Sequence, residues 1–463
     1  MSGKKDIRTR VLSPDEAMEE AERLCRQKRS VSGWELYLEN EDHLSIEVRE
    51  GEVESLVSAR TNGFSVRVRS GNRIGLAYTN KLFPGSLQEA IDRACESASY
   101  LPEDEHNRFG EPGSAELPEL DIVDESLDSI DRQEKIKRAE TLERSALSYD
   151  PRIKRTRGAE YEEIKSEARI KNSEGVNAKG KATLCSGSLE AVAEENGQAQ
   201  AADEFETVHH YDKLLADEIG AEAARKAAGL LGAGQAPTGK MPLVLDPESA
   251  AGFLSVLASA ICADAVDKGR SWLSGKQGEK IASSVVNLVD DGLMTDGPGA
   301  FPFDDEGTPC GRTFVVRDGR LESFLYNLYY GSKFGVPSTG NGMRSAFYLP
   351  PSVDTSNWVM LPGRCECEDL IRKVDAGLYI TELLGLHTAD PVTGEFSLGA
   401  SGYRIEKGTL GGPVTGLAIA GSLQEVLYKV ADVGCNLKFS GDTGSPAILI
   451  EEVDVSGSGR EKR

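Results

Sequence analysis

The sequence predicts an α+β protein in which two helix–antiparallel sheet–helix units precede a β-rich C-terminal domain with a few helices. Three observations predict this class. Helical periodicity and alternating, strand-like segments follow each other twice in the first half of the chain. An acidic, proline-containing stretch over residues 102–130 separates the two units. Glycine-rich hairpin patterns take over after about residue 240. We therefore expect domains over residues 13–101, 131–232 and 240–456.

The first unit begins with a helix over about 13–29. Ser13 and Glu16 have the spacing of a capping box, and Pro14 occupies the first helical position. A meander of antiparallel strands is expected next, with Ser70-Gly71-Asn72 as its last turn, and the helix PGSLQEAIDRACESASYL closes the unit. The expected strands are WELYLEN, HLSIEVRE, VESLVSAR, FSVRVRS and RIGLAYT.

The second unit repeats this order of elements without matching residues. RQEKIKRAETLERSALS and KLLADEIGAEAARKAAGLL have helical periodicity and enclose three strand-like segments. Those segments are EYEEIKSEARIKN, VNAKGKATLCSGSLEAVAEE and AQAADEFETVHH. The resemblance between the two units is one of pattern, so it does not establish a duplication.

The third domain is expected to be built from hairpins and a few helices. Asp318 and Gly319 predict the turn of one hairpin, YRIEKGTLGGPV predicts another, and PAILIEEVDVSG predicts a final strand. Asp246 followed by Pro247 predicts a helix start, and the residues after it are apolar on nearly all sides. Helices are expected over residues 247–266, 366–375 and 422–431.

The composition disfavours several classes of function. The net charge of -23 repels phosphate backbones, and no stripe of basic and aromatic residues offers an exception, so direct binding to nucleic acid is disfavoured. No apolar run is long enough to cross a membrane, and the N-terminus lacks the apolar core of a secretory signal. Eight scattered cysteines fit a reduced compartment. We therefore expect a cytoplasmic protein.

The five histidines offer few metal ligands. His43 and His106 are expected to be solvated. His209 and His210 are adjacent, so on a strand they point to opposite faces and cannot both bind one ion. His387 lies in the polar loop LHTADPVTGEFS, where a structural or peptide-contacting role is favoured over a catalytic one.

Other motifs that could carry chemistry are weak. Asp304, Asp305 and Glu306 could bind a hard cation, but their place before Gly-Thr-Pro favours a charged turn. The pair Cys365 and Cys367 has no second ligand pair at zinc-finger spacing. The sequence contains no G-x-S-x-G, no Walker A motif and no dinucleotide fingerprint. The glycines of STGNGMR predict a loop where the backbone approaches another strand or a ligand.

Several long segments, in one order, resemble the TldD/PmbA family. They are DDGLMTDGPGAFPFDDEGTPCGRTFVVRDGRLESFLYN, PSTGNGMRSA, NWVMLPG, DPVTGEFSLGASGYRIEKG and AIAGSL, and GEVESLVSARTNGFSVRVRSGNRIGLAYT resembles the first domain. The resemblance covers most of residues 30–455. It implies a relationship to a heterodimeric zinc metallopeptidase whose catalytic subunit carries His-Glu-x-x-x-His on a helix and a zinc-binding cysteine in a later loop.

This sequence departs from that catalytic pattern. Leu254, Ser255 and Ser259 stand where the family's histidine, glutamate and histidine would be. Cys435 precedes a short connection instead of the family's longer loop, so no zinc role carries over to it. The resemblance therefore implies the non-catalytic branch of the family, called PmbA or TldE, with no catalytic residue and no metal ligand in this chain. Zinc is expected in the partner subunit.

The same resemblance implies partners for the chain. A TldD-like, zinc-bearing subunit is expected to pair with it and to enclose a chamber for unfolded or extended peptides, and the isolated chain could form a homodimer. Strand addition to a sheet edge would hold peptides regardless of sequence. The candidates for lining the chamber are Gly340, Asn341, Gly342, His387, Thr393, Ser397 and Ser401.

Two other functions remain open from the sequence. The chain could be an autonomous hydrolase whose ligands come from His387 and the Asp304–Glu306 cluster. It could also be a regulatory, protein-binding factor, as the older family label of DNA gyrase modulator suggests. The acidic surface counts against contact with DNA, although not against contact with a protein.

Overall fold

The computed structural model describes residues 10–112 and 117–457 of the 463-residue chain. It contains both helices and strands, in the order that the α+β prediction requires. The α-helices of the described residues are α1 (Pro14–Arg26), α2 (Pro84–Tyr100), α3 (Arg132–Tyr149), α4 (Ala216–Gly229), α5 (Pro247–Ala258), α6 (Ala263–Asp267), α7 (Leu328–Phe334), α8 (Cys367–Arg372) and α9 (Leu423–Tyr428).

The strands belong to three six-stranded sheets and one small pair. They are β1 (Gly33–Arg49), β2 (Glu52–Ser70), β3 (Arg73–Thr79), β4 (Ile153–Asn172), β5 (Asn177–Glu195), β6 (Gln198–Val208), β7 (Gly239–Leu245), β8 (Leu288–Asp291), β9 (Arg312–Arg317), β10 (Arg320–Leu321), β11 (Gly342–Met343), β12 (Ser352–Val353), β13 (Trp358–Met360), β14 (Ala376–Leu384), β15 (Glu395–Glu406), β16 (Thr409–Ser422), β17 (Val430–Val433), β18 (Lys438–Ser440), β19 (Thr443–Ser445) and β20 (Ile448–Gly457).

The two N-terminal units share one sheet. Its strand order is β3-β2-β1-β4-β5-β6, and β1 pairs antiparallel with β4 from Glu35↔Asn172 to Val48↔Ala159. The helices α1 and α2 bury one apolar cluster against β1 to β3, and α3 and α4 bury a second against β1, β4 and β5. The two halves are therefore joined by a continuous backbone ladder as well as by the chain.

The strands of the first unit are fewer and longer than expected. WELYLEN and HLSIEVRE form the single strand β1, and VESLVSAR and FSVRVRS form β2. The break expected near Gly63 does not occur. A Cβ at Gly63 would lie 2.2 Å from the Phe347 ring, so this glycine admits a close neighbour instead of making a turn.

The local signals for helix and hairpin ends are confirmed. The Ser13 hydroxyl accepts from the Glu16 N–H, and the Glu16 carboxylate accepts from the Ser13 N–H. The Asp246 carboxylate accepts from the Ser249 N–H at 2.7 Å and caps α5. Asp318 and Gly319, with φ of 48° and 76°, form the turn between β9 and β10.

The C-terminal domain contains a closed ring of strands. Its sheet has the order β16-β15-β14-β7-β20-β17, and β16 also pairs with β20. The ring is therefore closed by five strands, β16, β15, β14, β7 and β20. The second sheet has the order β10-β9-β8-β13-β19-β18. The helix α5 contacts strands of both sheets and contributes Phe253, Leu254 and Leu257 to the largest apolar core.

The helix expected over 247–266 is interrupted. The helix α5 ends at Ala258, a 3-10 turn covers Ser259–Ile261, and α6 begins at Ala263. The Leu325 N–H donates to the Ile261 carbonyl at 2.9 Å, and the Leu325 carbonyl accepts from the Ala263 N–H at 3.0 Å. These long-range bonds replace the helical bonds that the local sequence would allow, and the periodicity gives no sign of them.

Within residues 10–112 and 117–457, no helix combines the length and the apolar character that crossing a lipid bilayer would need.

Candidate functional site

The three positions at which the resemblance predicts a replaced zinc motif lie in two different environments. Leu254 is 3% exposed and packs in the core, and its carbonyl accepts from the Trp358 indole N–H at 3.2 Å. Ser255 is exposed, and its hydroxyl donates to the Gly252 carbonyl at 2.8 Å. Ser259 is exposed where α5 ends. The side chains of 254 and 259 therefore do not converge on one open space in this chain.

A free strand edge lies next to α5. The strand β7 pairs with β14 only from Leu378 to Ile380, after which the chain turns into α5. The register between β14 and β15 shifts at Thr381, which has no partner on β15. Bulges of this kind are common beside binding and active sites because they redirect side chains. The backbone over 381–384 thus has an edge that β7 does not cover.

This free edge opens onto a cavity of about 190 Å³, here called the first cavity. Its walls come from β14, the start of α5, and the neighbouring parts of β6 and α4. Three carboxylates line it, those of Asp203, Glu248 and Glu382, together with the ammonium of Lys226. Burial raises the pKa of Glu382, and the neighbouring Ser401 hydroxyl opposes that shift.

A second cavity, of about 720 Å³, adjoins the first at Lys226 and Thr381. It lies over the outer face of β14 and β15, where Tyr379 pairs with Tyr403. Its charged lining is mostly basic: Arg225, Lys226 and Arg372 with Glu368. The two cavities together are called the groove below. The groove has an acidic end at the first cavity and a basic end at the second.

Lys226 lines both cavities of the groove and is fixed in place by two ion pairs. Its ammonium lies 2.7 Å from the Glu204 carboxylate and also contacts the Glu248 carboxylate, and its side chain is 11% exposed. Burial lowers the pKa of Lys226, but the two carboxylates outweigh this effect and raise it above the ordinary value. Burial raises the pKa of Glu248, and the charge of Lys226 opposes that shift. This cation is therefore a fixed part of the wall.

The predicted peptide-contacting residues of the third domain are divided between surface and interior. His387 is exposed in the 3-10 turn Leu386–Thr388. Thr393 is exposed just before β15, and Ser397 is exposed on that strand. Ser401 is 5% exposed and lies beside Glu382 at the first cavity. Of these four residues, Ser401 is the one next to the groove.

Gly340, Asn341 and Gly342 lie in the interior. The Asn341 amide donates to the Asp290 carboxylate at 2.7 Å and to the Asp354 carbonyl at 2.9 Å. A Cβ at Gly342 would lie 2.6 Å from the Glu306 carboxylate. The close approach expected for STGNGMR is therefore to other parts of the same chain. These groups are committed to internal contacts, so an open surface for a peptide is not formed by them.

The carboxylates of Asp304, Asp305 and Glu306 belong to a buried ionic network that joins the N-terminal sheet to the C-terminal domain. Asp304 accepts from the backbone N–H groups of Glu306, Thr308 and Gly342. Burial raises the pKa of Asp304 well above its usual range, and the charge of Glu306 adds to this effect. The predicted charged turn is present, but it is turned inward.

Two arginines contact the carboxylates of this network. Arg67 on β2 contacts Glu35 at 3.1 Å and Glu306 at 3.4 Å. Arg344 contacts Glu35 at 2.8 Å, and its backbone N–H donates to Asp305 at 2.7 Å. Among the described residues, no hydrogen bond joins this network to His387.

The remaining histidines have separate partners. His43 contacts Glu162 at 2.7 Å, His106 contacts Ser332 at 3.2 Å, and His210 contacts Asp121 at 3.1 Å. His209 is buried and lies within hydrogen-bond distance of the carbonyls of Thr183 and Gly297. His209 and His210 follow the end of β6 at Val208, so they are not on the strand as expected.

The cysteines are all free, and none joins a larger group of ligands. The Cys365 Sγ lies 3.3 Å from the Lys373 ammonium, and the Cys365 carbonyl accepts a hydrogen bond from the Cys435 N–H. Over the residues that the structure describes, no three histidine, cysteine, aspartate or glutamate side chains are grouped so that they could hold a metal ion.

The sequence did not point to the groove or to the arginines of the ionic network. Lys226 and Arg225 lie on the alanine-rich helix α4, where charged residues at the exposed face are ordinary. Glu35 alternates with the apolar Trp34 and Leu36 along WELYLEN, so the strand pattern predicted an exposed glutamate and gave no sign of its burial. Its partner Arg344 is 309 positions away, so pairing the two required the fold.

Comparison with known proteins shows three consecutive matches to one family. The models of PmbA/TldA metallopeptidase domain 1, central domain and C-terminal domain match residues 34–98, 125–231 and 238–457. Together these matches cover most of the chain.

Relatives from both branches of the family match over most of their length. The metalloprotease PmbA of Escherichia coli O157:H7 is 26% identical over 92% of this chain and 92% of its own. A TldD homologue of Haemophilus influenzae, also named a metalloprotease, is 28% identical over 86% of this chain and 87% of its own. The crystal structure of TldE from Thermococcus kodakarensis has the same fold, with a TM-score of 0.87 at 24% identity over 95% of this chain and 100% of that chain.

Proposed function

Because the chain belongs to the PmbA/TldA metallopeptidase family, we propose that it is the zinc-free, non-catalytic subunit of a two-subunit metallopeptidase that acts on unfolded peptides. Its partner in this proposal is a TldD-like subunit that carries the zinc. The observation that carries the proposal is the environment of Leu254, Ser255 and Ser259 on α5 and the turn after it. Overall identity does not decide between the branches, since PmbA and TldD relatives match about equally well.

The side chains at these positions do not fit a zinc ion. Catalytic zinc takes three protein ligands with nitrogen, sulfur or carboxylate donors and leaves one position for water. Leu254 has no donor atom and lies in the apolar core. The hydroxyl of Ser255 is engaged with the Gly252 carbonyl and is too weak a base to replace a glutamate. No step of zinc chemistry is therefore assigned to this chain.

The free edge of β14 supports a role in holding peptides. An extended peptide can add to an uncovered edge through its backbone N–H and C=O groups, which every sequence supplies. The backbone over 381–384 offers such an edge beside α5, and Thr381 is released from β15 by the bulge. This arrangement would accept an unfolded chain and exclude a folded domain, whose backbone groups are already paired.

The decisive experiment is co-expression with a TldD-like subunit from the same genome. We expect a complex that contains about one zinc per pair and cleaves an unfolded peptide, whereas this chain alone contains no zinc and does not cleave. A matched control is the TldD-like subunit alone, which should show whether this chain is needed for cleavage. Failure to form a complex, or equal cleavage by this chain alone, would overturn the proposal.

A further inference from the structure

We propose that the groove binds short peptides with free termini, with the peptide ammonium at the first cavity and the peptide carboxylate at the second. This inference rests on the proposed peptide-binding function and narrows it to a class of peptide. Both cavities lie along β14 and meet at Lys226 and Thr381.

The first cavity has the charge that an α-ammonium group needs. Asp203 is exposed at its edge, and Glu382 lies partly buried on β14. Lys226 forms its ion pairs with Glu204 and Glu248 and none with Asp203 or Glu382, although its charge also acts to lower the pKa of Glu382. Two carboxylates are thus left for a cation, and a partly desolvated cation benefits more from them than one in bulk water.

The second cavity has the charge that an α-carboxylate needs. Arg225 uses Nε and Nη2 for Glu222, and Arg372 uses Nη1 for Asp369. Among the described residues, Nη1 of Arg225 and Nε and Nη2 of Arg372 make no other hydrogen bond. Guanidinium groups bind carboxylates through such N–H groups.

The length of the groove sets the length of the peptide. Tyr379 lines the second cavity and Leu384 the first, and the five steps between them span about 17 Å in a strand. A peptide of about five residues covers this distance when extended. With its ammonium at the first cavity the peptide would run antiparallel to β14. It could pair only with the free edge over 381–384, because Tyr379 already pairs with Val244 of β7 and Tyr403 of β15.

One polar atom in the walls has no partner among the described residues. It is the Oδ1 atom of Asn436, which lines the second cavity and is buried without a hydrogen bond. Buried polar atoms are rarely left unpaired, so this amide oxygen is placed to bond a ligand.

Calorimetric binding of Ala-Ser-Ala-Ser-Ala to the full-length chain tests the proposal. The probe is compared with its N-acetyl, C-amide and doubly blocked forms at low salt. We expect each block to weaken binding about 5- to 10-fold and the double block to weaken it further, because each removes one charge pair. Among unblocked Ala/Ser peptides of three to eight residues, affinity should peak near five.

Paired variants assign the two ends. Asp203→Asn with Glu382→Gln should abolish the effect of N-acetylation and keep that of amidation, whereas Arg225→Gln with Arg372→Gln should do the reverse. Glu89→Gln and Arg93→Gln, at an exposed ion pair on α2, are controls that each remove one charge outside the groove and should change neither effect. If a groove variant does not fold, the blocked peptides on the unchanged chain still decide.

Failure of this inference is distinguishable from failure of the proposed function. Equal binding of free and blocked peptides would overturn the inference, and so would the absence of any binding of the free pentapeptide. The complex with the TldD-like subunit could still cleave a long unfolded peptide in either case. Conversely, loss of that cleavage activity would leave the terminus-dependent binding of the pentapeptide unaffected.

Discussion

The guanidinium group of Arg344 lies 2.8 Å from the carboxylate of Glu35, and the two side chains are 1% and 0% exposed. Glu35 is on the first strand of the N-terminal sheet, whereas Arg344 follows β11 in the C-terminal domain. The contact therefore fixes two parts of the chain that are far apart in sequence. Arg67 contacts the same carboxylate at 3.1 Å, so Glu35 is held between two cations.

Removing Arg344 should strongly destabilise the protein. Arg344→Met leaves the Glu35 and Asp305 carboxylates buried with less compensation, and we expect the free energy of unfolding to fall by about 3–5 kcal/mol. Urea denaturation measures this change. The control is Arg60→Met, which breaks an exposed pair with Asp42 and should cost about 1 kcal/mol or less. Similar losses for the two variants would show that the buried contact between Arg344 and Glu35 stabilises the protein no more than an exposed ion pair does.

Asp290 should make stability fall as the pH rises from about 4 to about 7. Complete burial raises the pKa of Asp290 from 3.8 to about 7, although Asn341 and Ser356 donate hydrogen bonds to it. Between these pH values the folded state binds a proton that the unfolded state has released, so raising the pH favours unfolding. Below pH 4 both states are protonated, and above pH 7 neither is.

The variant Asp290→Asn removes this titration. We expect the melting temperature of the unchanged protein, relative to Asp290→Asn, to decline across pH 4–7 and to be flat from pH 7.5 to 9. Thermal unfolding of both proteins is measured at each pH. The contributions of the other titrating groups cancel in the difference between the two melting temperatures, because the two proteins share those groups. A constant difference across the whole range would show that the carboxyl group of Asp290 does not titrate there.

Gly340 should tolerate no side chain. Its φ is 78°, and a Cβ would lie 2.8 Å from the Pro309 carbonyl oxygen. Gly340→Ala should therefore lower the free energy of unfolding by about 1–3 kcal/mol. Gly311→Ala is the matched control, because its Cβ would meet nothing within 4 Å and its φ is not positive. Equal stability of the two variants in urea would show that the backbone at Gly340 adapts.

Introducing the zinc motif at the three positions that the resemblance indicates should not create zinc chemistry. In the triple variant Leu254→His, Ser255→Glu and Ser259→His, the first imidazole would enter the apolar core while the second remained at the surface. We expect no stoichiometric zinc and no cleavage of an unfolded peptide. Leu254→His alone should cost about 2–5 kcal/mol in stability, whereas Ser255→Glu alone should cost little. Zinc analysis and urea denaturation check both expectations, and recovered zinc-dependent cleavage would overturn the assignment.

Local chemistry made the ends of several elements predictable. Ser13 and Asp246 cap helices because their side chains can reach the first free N–H groups of the next turn. Asp318 and Gly319 form a hairpin turn because both can adopt positive φ. These interactions lie within a few residues, so the sequence shows them directly.

Long-range pairing was not predictable in the same way. Leu325 interrupts the helix after Ala258, and β4 joins the sheet of β1, through backbone bonds that any residue can make. The groove depends on Lys226, Thr381 and Glu248 meeting from three separate elements. The resemblance predicted that Leu254, Ser255 and Ser259 replace the family's zinc motif, but it gave no sign of the buried orientation of Leu254.

The pairing of β7 with β20 constrains the order in which the molecule can be completed. Met241 lies opposite Val453, so the ring lacks one of its strands until about 200 further residues have been synthesised. The N-terminal sheet has all six of its strands by Val208 and can form on the ribosome long before that. Until β14 has been synthesised β7 has no neighbour on either side, and from then until β20 follows it has one free side. A nascent chain stalled before β20 should therefore resist proteases in its N-terminal half while its later half remains open to cleavage.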